Sequence, residues 1–230
     1  MQNENGRYVD FEDRAYMSTI HNFFSDFVDE YTRTIKQAKW SRFKWKGLTL
    51  MKDPMSLAIY LQLLQDLRPG TIWEFGTYEG GTTLWMKDVM ASIGASCDVH
   101  TFDIAEERCK LKKEDGIAFH RLGNHRIREF VSHNRGIFEA VTPPLLVIED
   151  SHENVGELLD VVDSFLKPGD YLIVEDTLSE WKHEAVRSFL DGRAYKVDAH
   201  YCDFWGHNNS WMVNSILSKR ATGTTGIKAS

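Results

Sequence analysis

From Thr71 onward, short apolar runs alternate with stretches whose apolar residues recur at three and four positions. TIWEFG, CDVHTFDI, GIAFHRL, LLVIED and YLIVED have the length of strands, and the amphipathic stretches near 81–92, 125–133 and 155–166 have the period of helices. A charged region, 106–115, separates the second and third runs. Strands separated by helices imply right-handed crossovers and a parallel sheet. The expected fold is therefore α/β, a doubly wound, mainly parallel, seven-stranded Rossmann-like sheet.

The two ends of the chain break that rhythm. Near the start, Phe11, Met17, Ile20, Phe23, Phe24, Phe27, Val28 and Tyr31 recur at the helical period, predicting one or two N-terminal helices. Their aromatic stripe suits core or subunit contact, so a homo-oligomer is expected. After a polar loop containing Trp, Asp53 and Pro54 open a helix that runs to about Leu67 and stops at Arg68-Pro69-Gly70. A helix near 184–190 leads to AYKVDAHYCDFW and SWMVNSILSKR, two strands joined by a short polar loop at 206–209. That pattern predicts a C-terminal antiparallel hairpin at the sheet edge. The last ten residues lack an apolar pattern. The expected organisation is a helical extension over 1–50, one domain over 51–220 and a loose tail over 221–230.

Composition narrows the class of protein. The chain has 230 residues, enough for one sizeable core, and is 42% hydrophobic and 27% charged. Its apolar runs fall short of the roughly 20 residues that span a bilayer, so no membrane partner is expected. The opening MQNENGRYVDFEDRAY has neither a basic region nor an apolar core of the secretory kind, which points to the cytoplasm. Cys97, Cys109 and Cys202 are widely separated and read as free thiols. A net charge of -7 disfavours nucleic acid, and the basic stretch over 33–46 reads as a solvated helix end.

Two groups of residues carry candidate chemistry. In open parallel sheets, ligands bind beyond the carboxyl ends of the strands, where TIWEFGTYEGG sits. Gly76 suits a tight turn out of the strand, and Gly80 and Gly81 suit close backbone approach to a ligand at the next helix. The spacing is not that of a dinucleotide fingerprint. Glu74, at the end of a buried strand, needs a cation or hydrogen-bond donors, which an ammonium-bearing ligand would supply. Asp103 ends the second strand, where it suits a ribose diol.

The second group is acidic. Glu149 and Asp150 follow the fourth strand, and Glu175 and Asp176 follow the fifth, so all four belong to the same rim as the glycine segment. Such a cluster repels itself unless a divalent cation holds it ionised. Oxygen ligands point to Mg²⁺. His152, just beyond, has the ordinary pKa of a general base for a substrate hydroxyl.

The Glu74-Phe75-Gly76 turn followed by Gly80-Gly81, with an acidic residue ending the next strand, resembles class I S-adenosylmethionine-dependent methyltransferases. IEDSHEN, then KPGDYLIVEDT, then a Trp-bearing helix resembles the cephalosporin hydroxylase-like branch, which includes macrolide-sugar O-methyltransferases. The likeness covers about 52–183, with an echo at 206–211. It implies S-adenosylmethionine held by Glu74, Gly76, Thr77, Tyr78, Gly80, Gly81, Thr82, Asp103, Asn124 and Asp150. It also implies Mg²⁺ on Asp150, Glu175 and Asp176, with His152 catalytic. Related enzymes differ in the distance from metal carboxylate to histidine, which leaves Glu149 and Asp150 as alternatives. The implied activity is Mg²⁺-assisted O-methylation of a small-molecule hydroxyl, such as a sugar, catechol-like compound or natural product of secondary or antibiotic metabolism. The competing readings are a hydroxylase-associated enzyme and a non-catalytic cofactor-binding protein. Trp181, Trp205 and Trp211 are candidate walls of the substrate pocket.

Overall fold

The computed structural model describes residues 6–16, 43–122 and 127–222. Most of the expected N-terminal helices, Asn124 and the end of the tail lie outside the described residues. Strands β1 (Tyr8–Val9), β4 (Thr71–Phe75), β5 (Asp98–Asp103), β6 (Ala118–Arg121), β7 (Leu145–Glu149), β8 (Tyr171–Val174), β9 (Tyr195–Asp198) and β10 (Ile216–Lys219) form one sheet, in the order β1-β9-β10-β8-β7-β4-β5-β6. β4 to β8 are parallel, and the β8-β10-β9-β1 half is antiparallel. Every residue of β4, β7 and β8 is buried, which is why these strands read as unbroken apolar runs.

The sheet has eight strands where seven were expected. β1 is two residues long, too short to show a period, and holds the edge through the Arg7–Asp198 ion pair at 2.9 Å. The antiparallel pairing of β9 with β10 is present, but a short polar loop does not join them. Residues 199–215 intervene and include α7 (Ala199–Cys202). β10 is inserted between β8 and β9, so the hairpin lies inside the sheet and β1 forms its edge.

The crossover helices are α1 (Pro54–Leu67), α2 (Gly81–Ser92), α3 (Ile127–His133), α4 (Arg135–Glu139), α5 (Val155–Asp163) and α6 (Glu180–Leu190). Asp53 caps α1 by accepting from Met55 N at 2.8 Å and Ser56 N at 3.1 Å, with Pro54 in the first turn. α6 starts four residues earlier than its apolar pattern indicated. The stretch expected as a polar loop before α1 contains a hairpin, β2 (Lys44–Trp45) and β3 (Leu48–Thr49). Trp45 Nε1 and Lys46 Nζ both bind Asp88 on α2, so the described end of the basic stretch docks on that helix. None of the described helices is long and apolar enough to cross a membrane.

Candidate active site

The chain leaves β4 for β5 on one side and returns through β7 on the other, and this reversal opens a crevice at the strand ends. The register aligns Phe75 with Glu149 and Glu149 with Val174. Gly76, Asp150 and Glu175 therefore leave the sheet on one level. The ladder continues across them: Asp150 N donates to Phe75 O at 2.8 Å, and Glu175 N to Glu149 O at 2.9 Å.

Gly76 turns out of β4 with φ 110°, and a Cβ there would stand 2.5 Å from the carbonyl oxygen of Asp150. Its bare backbone lets the first and fourth loops touch. Gly81 is bare for a reason that the sequence did not show. A Cβ there would collide with the main chain of Thr49 and Leu50, so its bare backbone admits the β3 hairpin. Gly80 likewise makes room for Leu111. Glu79 clasps the same hairpin, accepting from Thr49 N at 3.0 Å and pairing with Lys110. The Lys110 hydrogen bond holds its carboxyl well below the usual range.

Asp103 accepts backbone N–H from Thr77, Tyr78 and Ala105, each at 2.9 Å, and so shapes the loop that it faces. Glu74 is turned inward, accepting from the hydroxyls of Thr83 and Thr101, the latter at 3.1 Å. Burial pushes its pKa up to about 7. Both threonines meet the same oxygen, Oε2, and the side chain stays behind the cavity wall.

Above the loop opens a cavity of about 350 Å³. Its wall includes Gly76, Thr77, Tyr78, Thr82, Asp103, Asp150 and His152 from the sequence expectations. Glu74, Gly80 and Gly81 support the wall without lining it. Leu122, Ile127 and Leu158 supply apolar wall, Arg108 a cation, and Thr49 and Met51 extend from the hairpin. The sequence reading missed these residues because they stand on segments without a motif that only the folded chain brings together.

The carboxylates divide by strand parity. Glu149 is sealed in the interior, with Lys182 Nζ 2.8 Å from its Oε2. Asp150, its neighbour, points to the cavity. Of the two alternatives on the fourth strand, this parity brings Asp150 to the cavity and leaves Glu149 in the interior. Ligand atoms of Asp150, His152 and Asp176 lie within 4.8 Å of one another. His152 Nε2 is 3.1 Å from Asp176 Oδ2 and 3.6 Å from Asp150 Oδ1. Glu175 is set beside them, accepting from Tyr60 Oη and standing 3.1 Å from Lys52 Nζ. Lys52 also binds Asp150 Oδ2 at 2.6 Å.

The electrostatics show a shortage of positive charge. Burial pushes Glu175 up to about 7 and raises Asp150, although Lys52 opposes both shifts. Asp176 moves the other way: burial would raise it, but the His152 hydrogen bond and nearby cations hold it below the usual range. The same bond raises the His152 pKa. Among the described residues, these three carboxylates thus share Lys52 and His152, with Lys182 acting on Asp176 from farther off. Two carboxylates and one imidazole form an oxygen-rich donor set, suited to a hard divalent cation. Tyr78, His152 and Asp176 also have φ of 50°, 58° and 57°, a backbone region that residues other than glycine seldom occupy.

Lys52, Tyr60 and Lys182 complete the cluster and carried no motif in the sequence. The one available signal for Lys52 was its place just before the α1 cap. The three candidate pocket tryptophans do not line the cavity: Trp181 and Trp205 are exposed at 55% and 45%, and Trp211 O accepts from Leu178 N and Thr177 Oγ1.

Comparison with known proteins gives consistent matches. The sequence model of a family described as rhamnosyl O-methyltransferase/CmcI matches residues 37–195. A rhamnosyl O-methyltransferase of Mycobacterium leprae (strain TN) is 25% identical over 170 residues, 73% of this chain and 74% of the relative. Another, from Mycobacterium tuberculosis (strain ATCC 25618 / H37Rv), is 23% identical over 169 residues, 72% of this chain and 69% of the relative. A solved structure described as cmcI-D160 Mg-SAM superposes with a TM-score of 0.67 at 26% identity, covering 96% of this chain and 97% of that one. An apo structure, CmcI-N160, has the same TM-score at 27% identity, covering 90% of this chain and 88% of the other.

Proposed function

The chain belongs to the rhamnosyl O-methyltransferase/CmcI family, and we propose that it is a Mg²⁺-assisted, S-adenosylmethionine-dependent O-methyltransferase acting on a sugar or other small-molecule hydroxyl. One observation carries the reading. Asp150 and His152 belong at once to the wall of the 350 Å³ cavity and to the carboxylate cluster. A methyl donor in the cavity and a hydroxyl at the cluster would therefore adjoin.

The residues suit both ligands. The cavity is of small-molecule size, with apolar wall on one side and Thr77, Thr82 and Asp103 on the other. Asp150 and Asp176, with Glu175 beside them, would hold the ion, whose charge the raised pKa values of Asp150 and Glu175 call for. When bound, S-adenosylmethionine supplies an electrophilic methyl group and Mg²⁺ supplies positive charge that acidifies an acceptor hydroxyl.

The chain's own part is largely positioning. Asp103 fixes the 77–78 turn against which the donor would rest. His152 turns its Nε2 toward the cluster, 3.1 Å from Asp176 Oδ2, which orients the ring where it would take the acceptor proton. The hairpin residues Thr49 and Met51 roof the cavity and limit water.

The test is methyl transfer from labelled S-adenosylmethionine to a panel of sugar and small-molecule hydroxyls, with Mg²⁺ and with chelator. Calorimetry with S-adenosylmethionine and its demethylated product runs beside it. Failure to bind either compound removes the reading, and full activity in chelator removes the metal from it.

A further inference from the structure

Glu149 and Lys182 form an ion pair that is wholly shielded from solvent, beneath the carboxylate rim and outside the cavity. The ammonium stands 2.8 Å from Glu149 Oε2 and donates at 2.9 Å to the carbonyl oxygen of Glu175. The other carboxylate oxygen of Glu149 accepts from Ser151 N and Ser151 Oγ at 3.0 Å and from His152 N at 3.1 Å. This one pair grips the main chain of both loops that carry the cluster: 151–152 after β7 and 175 after β8.

Burying two ions is an inefficient way to stabilise a fold, because their desolvation offsets most of their attraction and an apolar pair of similar volume usually serves as well. What an apolar pair cannot supply is directed bonds to four polar groups. Those bonds end on loops whose residues His152 and Asp176 are held in the left-handed backbone region, a conformation that persists only where surrounding contacts over-determine it. α6 contributes more to these loops than a packing surface.

From this we infer that Glu149 and Lys182 are positioning residues that set the spacing of Asp150, His152 and Asp176 across the two loops. The inference rests on the metal-assisted reading above. It assigns the pair to alignment of the ligand set, not to the stability of the sheet.

The test uses the full chain with Mn²⁺ alone as probe, followed by its magnetic resonance signal, beside the demethylated donor product and thermal melting. The double variant Glu149→Leu, Lys182→Met removes both charges together. Expected are a Tm lowered much less than in Lys182→Met alone, donor-product affinity within about threefold, and Mn²⁺ affinity and kcat each down about 10- to 100-fold, the size of effect usual for groups that orient metal ligands. Lys182→Met alone is expected to melt far lower, because it strands Glu149. Wild-type Mn²⁺ affinity in the double variant overturns the inference and leaves the metal reading standing. No Mn²⁺ binding by the wild type overturns both. Should the double variant fail to fold, the pair Glu149→Gln and Glu149→Leu decides: Gln keeps the acceptor for Ser151 and His152 and Leu does not, and equal Mn²⁺ affinity in the two also overturns the inference.

Discussion

Lys52 Nζ lies 2.6 Å from Asp150 Oδ2, a lysine from the segment that roofs the cavity placed inside the carboxylate cluster. Burial alone would lower its pKa, but Asp150 and Glu175 more than offset this, so it stays charged. The hairpin, α1 and the cluster are thereby joined through one ammonium group. Lys52 is a built-in countercharge, and it leaves the three carboxylates short of neutrality.

Lys52→Met is therefore expected to destabilise the protein by roughly 3–5 kcal/mol, the usual cost of stranding a buried ion-pair partner. Mg²⁺ should recover part of that loss, because it would replace the missing charge. The check is the rise in Tm on adding Mg²⁺, which should be larger for the variant than for wild type. An equal or smaller rise would show that Lys52 and the ion do not serve the same carboxylates.

His152 is expected to matter for turnover and little for the donor. His152→Ala should lower kcat by about 10² to 10⁴, the range for loss of a general base. Affinity for the demethylated product, measured by calorimetry, should stay within a few-fold. A variant that keeps its kcat would remove His152 from proton transfer.

The parallel half of the fold was legible because β4, β7 and β8 are buried on both faces and read as plain apolar runs. β1 and the β2–β3 hairpin were not, because two-residue strands carry no period and are held by partners far along the chain, such as Asp198 and Asp88. The rim position of Asp150 and Asp176 followed from strand order. The partners that define their chemistry, Lys52, Tyr60 and Lys182, come from segments whose approach only the folded chain reveals. Glu149 shows the limit most clearly: beside Asp150 in sequence, it faces the opposite side of the sheet.

Gly81→Ala separates local preference from tertiary contact. Position 81 begins α2, where alanine by itself favours the helix by up to about 1 kcal/mol. The new Cβ would meet the Thr49 main chain, so the hairpin must shift, and with it the cavity roof at Thr49 and Met51. The expected result is a lower Tm and donor-product affinity reduced about tenfold, which corresponds to 1.4 kcal/mol. A raised Tm with unchanged affinity would show that the hairpin does not form part of the donor site.

His183 gives a pH dependence that can be isolated from the cluster. It is buried against Phe11 and Tyr16, with ring centroids 4.8 and 4.4 Å away, and its Nε2 has no hydrogen-bond partner among the described residues. Burial lowers its pKa to about 4, from an ordinary value of 6.5. Between these values the unfolded chain binds a proton that the folded chain refuses, so stability is full above about 6.5 and declines as the pH falls toward 4. Glu74 and Glu175, raised to about 7, contribute with the opposite sign, so the net curve of the wild type mixes both. The difference between His183→Phe and wild type removes the mixture. The Tm of the variant relative to wild type should rise as the pH is lowered from 7 to 5. A constant difference across that range would mean that His183 titrates alike in the folded and unfolded chain, against the burial seen around its ring.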